Sequence, residues 1–308
     1  MTPPFEQVGR SGTKTDSVLA TPPVPLLRVK ERSALRACEK VALAYFTYLP
    51  CLGLIRRLRT GQVLLLGSIP LALWAVCQAQ SRSTSRTVAI LRDWWPLSWI
   101  LVGYWAMGWL ASPPLGTLQI ELAGLDRLLL NNTNLQGLIE APGPLFPVML
   151  ETVYLLLYAI PPICLGILYS CRERSQAPRF LLIVFAGTFT AYALLPYVPV
   201  ISPRVAFPSA DLPHYGGMAR TVNTWLLDHL DISTGVLPSG HVAVAFSSAL
   251  AMADVLRARP WFGRCALGGA GLVFVATVYG RYHYSVDGLI SIALVSVISR
   301  FTLRVSHA

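Results

Sequence analysis

Residues 237–289 read LPSGHVAVAFSSALAMADVLRARPWFGRCALGGAGLVFVATVYGRYHYSVDGL. Two apolar runs, 237–256 and 265–279, flank a connection carrying Arg257, Arg259 and Arg264, and a third run opens at Val286. A bilayer core about 30 Å thick takes about 20 mostly apolar residues per helix, so the pattern is one helix in and another back. A helical period need not show in such runs, because the lipid-facing and the buried sides are both apolar. The hairpin returns its two histidine-bearing ends to the same side. One end is Pro238-Ser239-Gly240-His241, and the other is Gly280-Arg281-Tyr282-His283-Tyr284-Ser285-Val286-Asp287.

Outward from that hairpin, further apolar windows lie at 94–111, 146–170, 180–199 and 286–301. Shorter or less clear windows precede them at 41–55, interrupted by Pro50, and at 62–80. The expected fold is therefore all-α, a polytopic membrane helical bundle of about eight spans: a six-helix core behind an N-terminal hydrophobic hairpin. Of the 308 residues 54% are apolar and 13% charged, where soluble domains carry roughly a quarter charged residues. Three regions are expected: a flexible cytoplasmic tail over 1–36, mixed in Pro, Ser, Thr and basic residues, the hairpin over 37–93, and one membrane domain over 94–308. No early apolar run is followed by a small-residue cleavage site, so the first long apolar segment is expected to act as the insertion signal.

A net charge of +10 would suit a nucleic-acid partner, but its placement argues for a membrane. Arg172, Arg174 and Arg179 share one short loop, Arg257, Arg259 and Arg264 another, and Arg300 and Arg304 lie near the C-terminus. This is the positive-inside pattern of cytoplasmic loops. The segment 112–143 has Glu121, Asp126 and Glu140 against Arg127, and 200–236 has Asp211, Asp228 and Asp231 against Arg204 and Arg220. Those segments, and with them both histidine motifs, are expected on the non-cytoplasmic side. The cluster Arg56-Arg57-Leu58-Arg59 runs against the charge rule if the first two segments both span.

Other features have competing readings. Trp94, Trp95, Trp99, Trp105 and Trp109 suit an interfacial belt. An amphipathic pattern over 118–138, interrupted by Asn131-Asn132-Thr133-Asn134, suits a lid or ramp lying on the membrane; Asn131-Asn132-Thr133 also fits a glycosylation sequon. Glu151, Tyr154 and Tyr158 share one helix face, where Glu151 is either functional or solvated at the interface. Pro161-Pro162 should kink that helix. The six cysteines, Cys38, Cys51, Cys77, Cys164, Cys171 and Cys265, avoid the outer loops, so no disulfide is expected.

The histidine motifs carry the chemistry. Pro238 suits a first helical turn, and the free N–H groups at Ser239 and Gly240 with the positive dipole end suit a phosphate. His241 at that end is a proton donor whose state depends on the bound anion. His283 and Asp287, at i and i+4, place a carboxylate behind one imidazole nitrogen and leave the other as a lone pair, which is how a third group activates a nucleophile. Arg281 offers a planar fork to phosphate oxygens. Metal binding competes for the same residues, but no third or fourth soft ligand sits close by in the sequence, and His214 and His229 lie in an irregular loop; neither a metal nor another cofactor is expected.

Pro238-Ser239-Gly240-His241 and His283-Tyr284-Ser285-Val286-Asp287 resemble the second and third motifs of the type 2 phosphatidic acid phosphatase superfamily, which includes lipid phosphate phosphatases and inositol phosphorylceramide synthases. The resemblance covers roughly 94–301 and implies a six-helix catalytic core. It also implies attack on phosphorus by His283, oriented by Asp287, through a phosphohistidine, with His241 as the acid that later activates water or an alcohol. Ser239, Gly240 and Arg204, the arginine of the first motif, would hold phosphate oxygens. The chain departs from the pattern at Tyr197, where the family has a lysine, and at Ala276-Thr277, where it has Ser-Arg. The proline-rich approach to Arg204 and Tyr284 are closer to the inositol phosphotransferase branch. The implied substrate is a phosphatidate-like or polyprenyl phosphate lipid that is hydrolysed; the alternatives are headgroup transfer to a lipid alcohol, and a non-catalytic lipid-binding or transport protein.

Overall fold

The computed structural model describes residues 35–132, 134–209, 213–232 and 234–305. The expected tail lies outside the described residues except for Leu35 and Arg36, as does Thr133 of the sequon. Helices α1 (Ala37–Ile55) and α2 (Thr60–Arg82) form the N-terminal hairpin, followed by α3 (Arg86–Trp94) and α4 (Ser98–Gly108). A single helix is predicted over 94–111, but a 3-10 turn at Trp95–Leu97 separates α3 from α4. Pro96 has no N–H to continue the ladder.

Next come α5 (Gly116–Arg127), a π turn at Leu128–Asn132 and a short helix at Leu135–Glu140. Helices α6 (Leu145–Leu156) and α7 (Ile160–Ser170) are joined by a 3-10 turn at Leu157–Ala159. The kink expected at Pro161-Pro162 thus falls one turn upstream, where the carbonyls of Leu157 and Tyr158 lose the donors that residues 161 and 162 would have supplied. After α8 (Ala177–Leu194) come a turn at Pro203–Ala206, α9 (Gly217–Leu230), α10 (Gly240–Val255), α11 (Pro260–Tyr279) and α12 (Ser285–Val305).

Among the described residues six stretches are long and apolar enough to cross a bilayer: Ala37–Ile55, Thr60–Arg82, Leu145–Ser170, Arg174–Tyr197, Pro260–Tyr279 and Ser285–Thr302. Two of the expected windows are shorter helices, α10 with 16 residues and α4 with 11. Most of α10 is buried among its neighbours, so its apolar sequence reflects protein contacts as much as lipid.

Helix α8 is the centre of the bundle and packs on α1, α10 and α12. Its approach to α10 is set by Gly187, where an added Cβ would stand 2.2 Å from Ser247 Oγ. On the other side Tyr45 stacks on Phe189 at 4.5 Å and donates to the Gly103 carbonyl at 2.8 Å, so α1 is part of the core. At one end of the bundle, buried carboxylates are paired: Glu39 with Arg92 at 2.6 Å, Asp93 with Arg36 at 2.7 Å and Arg174 at 2.8 Å, and Asp254 with Arg179. At the other end Arg56 donates to the carbonyls of Leu110 and Pro196, both at 2.7 Å, and to Ser112 Oγ at 2.6 Å. That charge, anomalous by the loop rule, ties the end of α1 to the segments that leave α4 and α8. An isolated parallel bridge between Val200 and Gly235 joins the exit of α8 to the approach of α10.

Candidate functional site

The two histidine motifs meet through their backbones. Ser239 caps α10, its Oγ accepting from Val242 N at 3.3 Å, while Ser239 N donates to the Asp287 carbonyl at 3.3 Å. Ser291 Oγ then donates to the Ser239 carbonyl at 3.0 Å. Of the first four N–H groups of α10, those of Gly240 and His241 have no partner among the described residues, and they remain available to an anion. Past the end of α11, Tyr282 N and His283 N both donate to the Thr277 carbonyl, at 3.0 and 3.1 Å. Arg281 takes a left-handed φ of 62° to make this turn, which delivers His283 to the head of α12.

The side chains form an ordered chain. His283, 4% exposed, has Nδ1 at 3.1 Å from the Val236 carbonyl and at 3.5 Å from Asp287 Oδ2. The expected partner Asp287 is therefore joined by a nearer backbone acceptor, and Asp287 Oδ2 also accepts from Tyr284 N at 2.9 Å. Both acceptors place the proton on Nδ1 and leave the Nε2 lone pair free. That lone pair faces His241 Nδ1 at 3.0 Å, and His241 Nε2 faces the Tyr158 hydroxyl at 3.3 Å. One assignment satisfies all three contacts: Tyr158 donates to His241, His241 donates to His283, and His283 donates to Val236.

The arginines are tied to this pair through the backbone. Arg204 N donates to the Arg281 carbonyl at 3.0 Å, so the first and third motifs share a backbone link. The Arg204 guanidinium pairs with Asp228 at 2.8 Å, and Arg281, 2% exposed, pairs with Asp126 at 3.5 Å. Both Nε atoms are buried without a partner among the described residues, so each fork retains a donor. Asp231 lies close by. Burial raises its carboxyl above the usual range, against the Tyr104 hydroxyl and the nearby His283 and Arg204, which act to lower it.

Several sequence features fall elsewhere. The Tyr197 hydroxyl meets Tyr48 OH at 3.1 Å and takes no part in the site. His214 pairs with Glu140 at 2.7 Å and the His229 ring bonds the Trp225 carbonyl at 2.8 Å, so neither joins the two motif histidines. Among the described residues no group of three His, Cys, Asp or Glu side chains is arranged to hold a metal ion. Glu151 is not a solvated interfacial group: it is 1% exposed and binds Arg220 and Asn223, each at 2.8 Å, and the Tyr282 hydroxyl at 2.5 Å. Tyr282 stacks on Tyr154 at 4.1 Å, and Tyr154 meets His241 edge-on at 5.4 Å. This brace, the Val236 carbonyl and Asp126 carry no sequence motif; Tyr158 was visible only as a tyrosine on the Glu151 face.

A cavity of about 440 Å³ opens onto His241. Leu101, Trp105, Leu157, Pro161, Leu227 and Val244 supply its apolar wall, and Tyr104, Tyr158, Asp231 and His241 its polar atoms. Beside the site, α5 turns Leu122 and Ala123 inward while Ile120 and Leu125 are exposed, as expected of a helix lying at a membrane interface.

Comparison with known proteins gives the same assignment. The family model described as PAP2 superfamily matches residues 122–301, which hold every motif residue above. A PA-phosphatase related-family protein of Dictyostelium discoideum is 33% identical over 107 residues, covering 33% of this chain and 19% of that protein; the match therefore spans less than a fifth of that relative. No solved structure matches. With the matched region containing both histidine motifs and the helices that join them, the chain belongs to the PAP2 superfamily.

Proposed function

We propose that the protein is a multi-pass membrane lipid phosphatase acting on a lipid phosphate, phosphatidate-like or polyprenyl, through a phosphohistidine. The phosphoryl group enters between His241 and His283 and separates their rings. His283 Nε2 attacks phosphorus in line, and the Val236 carbonyl and Asp287 stabilise the positive charge on the ring. His241 gives its proton to the leaving oxygen and then takes one from the attacking water. Arg204, Arg281 and the N–H groups of Gly240 and His241 meet the phosphoryl oxygens, where fixed donors supply most of the stabilisation. The arginine-rich short loops around 172–179 and 257–264 support a cytoplasmic position for those connections and so a non-cytoplasmic one for the site.

The observation that carries this reading is a histidine pair whose ring nitrogens stand 3.0 Å apart, one member of which, His241, lines a largely apolar cavity. A second reading, transfer of the phospho-headgroup to a lipid alcohol, draws on the same cavity, because the group that would activate the acceptor faces apolar walls. Purified protein in detergent, given labelled lipid phosphates, separates the two: phosphate release supports hydrolysis, and a new phosphodiester lipid supports transfer. Lipid binding that survives His283→Ala, with no turnover by the wild type, would instead make the protein a lipid binder.

A further inference from the structure

We infer that Asp126, on the interfacial helix α5 and outside both histidine motifs, is a positioning residue that holds Arg281 in the phosphate site. This rests on Arg281 being a phosphate-binding group. Asp126 is fully buried, and a carboxylate stays ionised there only with partners. Its Oδ1 accepts from Ser285 N at 2.8 Å and Ser285 Oγ at 2.6 Å, which fixes it to the head of the helix that carries Asp287. Its Oδ2 faces Arg281 Nη1 at 3.5 Å. Arg281 sits in a turn with left-handed φ and its guanidinium is itself buried. Without the carboxylate a buried guanidinium is uncompensated, and the side chain turns out toward the interface, away from His283. Helix α5 would thus supply the counter-charge that keeps the arginine fork in place before phosphate arrives.

Orthovanadate binding to the purified full chain in detergent, measured by titration calorimetry, tests this without requiring lipid turnover. Arg281→Ala removes a charge-assisted contact and should weaken vanadate about ten- to a hundredfold. Asp126→Asn, which keeps the shape and an acceptor for Ser285, should weaken it by a similar factor. The double variant should be no worse than either single variant, because both act through one group. Unchanged or tighter binding in Asp126→Asn, or losses that multiply in the double variant, would overturn the inference while leaving Arg281 a phosphate ligand. A wild type that binds no vanadate, or an Arg281→Ala variant that binds as well as wild type, would overturn the reading of Arg281 itself. If Asp126→Asn does not fold, the pair Asp126→Asn/Arg281→Met removes both charges: a folded pair supports the assignment, and an unfolded one means that Asp126 serves α12 alone.

Discussion

Replacing Glu151 by Gln tests the brace behind the third motif. The carboxylate uses Oε1 for Arg220 and Oε2 for Asn223 and Tyr282. Glutamine has one acceptor oxygen, so in either orientation its NH2 faces a donor: Arg220 in one case, Asn223 and Tyr282 in the other. Breaking a buried ion pair costs about 3–5 kcal/mol. Arg220 is 22% exposed and partly screened, which brings the expected loss down to about 2–3 kcal/mol. For a chain of this size that is a melting temperature lower by roughly 3–5 °C, read by thermal unfolding of the purified protein in detergent. Turnover should fall as well, since Tyr282 supports Tyr154 against His241. A variant within about 0.5 kcal/mol of wild type, as for an exposed surface substitution, would refute the brace.

Arg56→Lys should destabilise nearly as much as Arg56→Ala, by about 1–3 kcal/mol, because one ammonium cannot reproduce a fork that reaches Leu110, Ser112 and Pro196 together; thermal unfolding of the two variants checks it. Leu101→Trp places bulk at the half-open mouth of the cavity, where Leu101 is 44% exposed. It should lower turnover of a long-chain lipid phosphate about tenfold or more while sparing a small water-soluble phosphate ester, measured by phosphate release from each. Burial acts to raise the Glu140 carboxyl, but the His214 backbone N–H and ring and the Tyr279 hydroxyl outweigh it and hold it below its usual range. A depressed folded-state carboxyl stabilises above its unfolded value and loses that contribution as pH falls through the folded one. The stability difference between wild type and Glu140→Gln should therefore be full at neutral pH and close on acidification, in unfolding curves across pH.

The helical hairpin around the motifs was legible because a bilayer imposes span length, and length survives without periodicity. His241, His283 and Asp287 were legible because local spacing and one helical reversal suffice to bring them together. The N-terminal hairpin was harder: its Arg56 contradicts a rule about solvated loop charge, and only the ends of α4 and α8, far off in sequence, show that this arginine is committed to carbonyls. Asp126 and Glu151 read as loop and interface acids for the same reason, since their partners Ser285, Arg281, Arg220 and Tyr282 arrive from distant segments. The carbonyl of Val236 leaves no side-chain signal at all. Pro161-Pro162 marked one helix break, but the lost donors act on carbonyls four residues earlier, which moved that break off the prolines themselves; the break at Pro96 was hidden by the continuous apolar run around it.

The proposed mechanism turns on His283 as the nucleophile. Rapid quench in alkaline detergent of the purified protein turning over lipid phosphate labelled in its phosphoryl group, followed by phosphopeptide mapping without exposure to acid, measures that directly. The account predicts an acid-labile, base-stable label on His283 that is absent from His283→Ala. A label on another side chain, or turnover undiminished in His283→Ala, would contradict it.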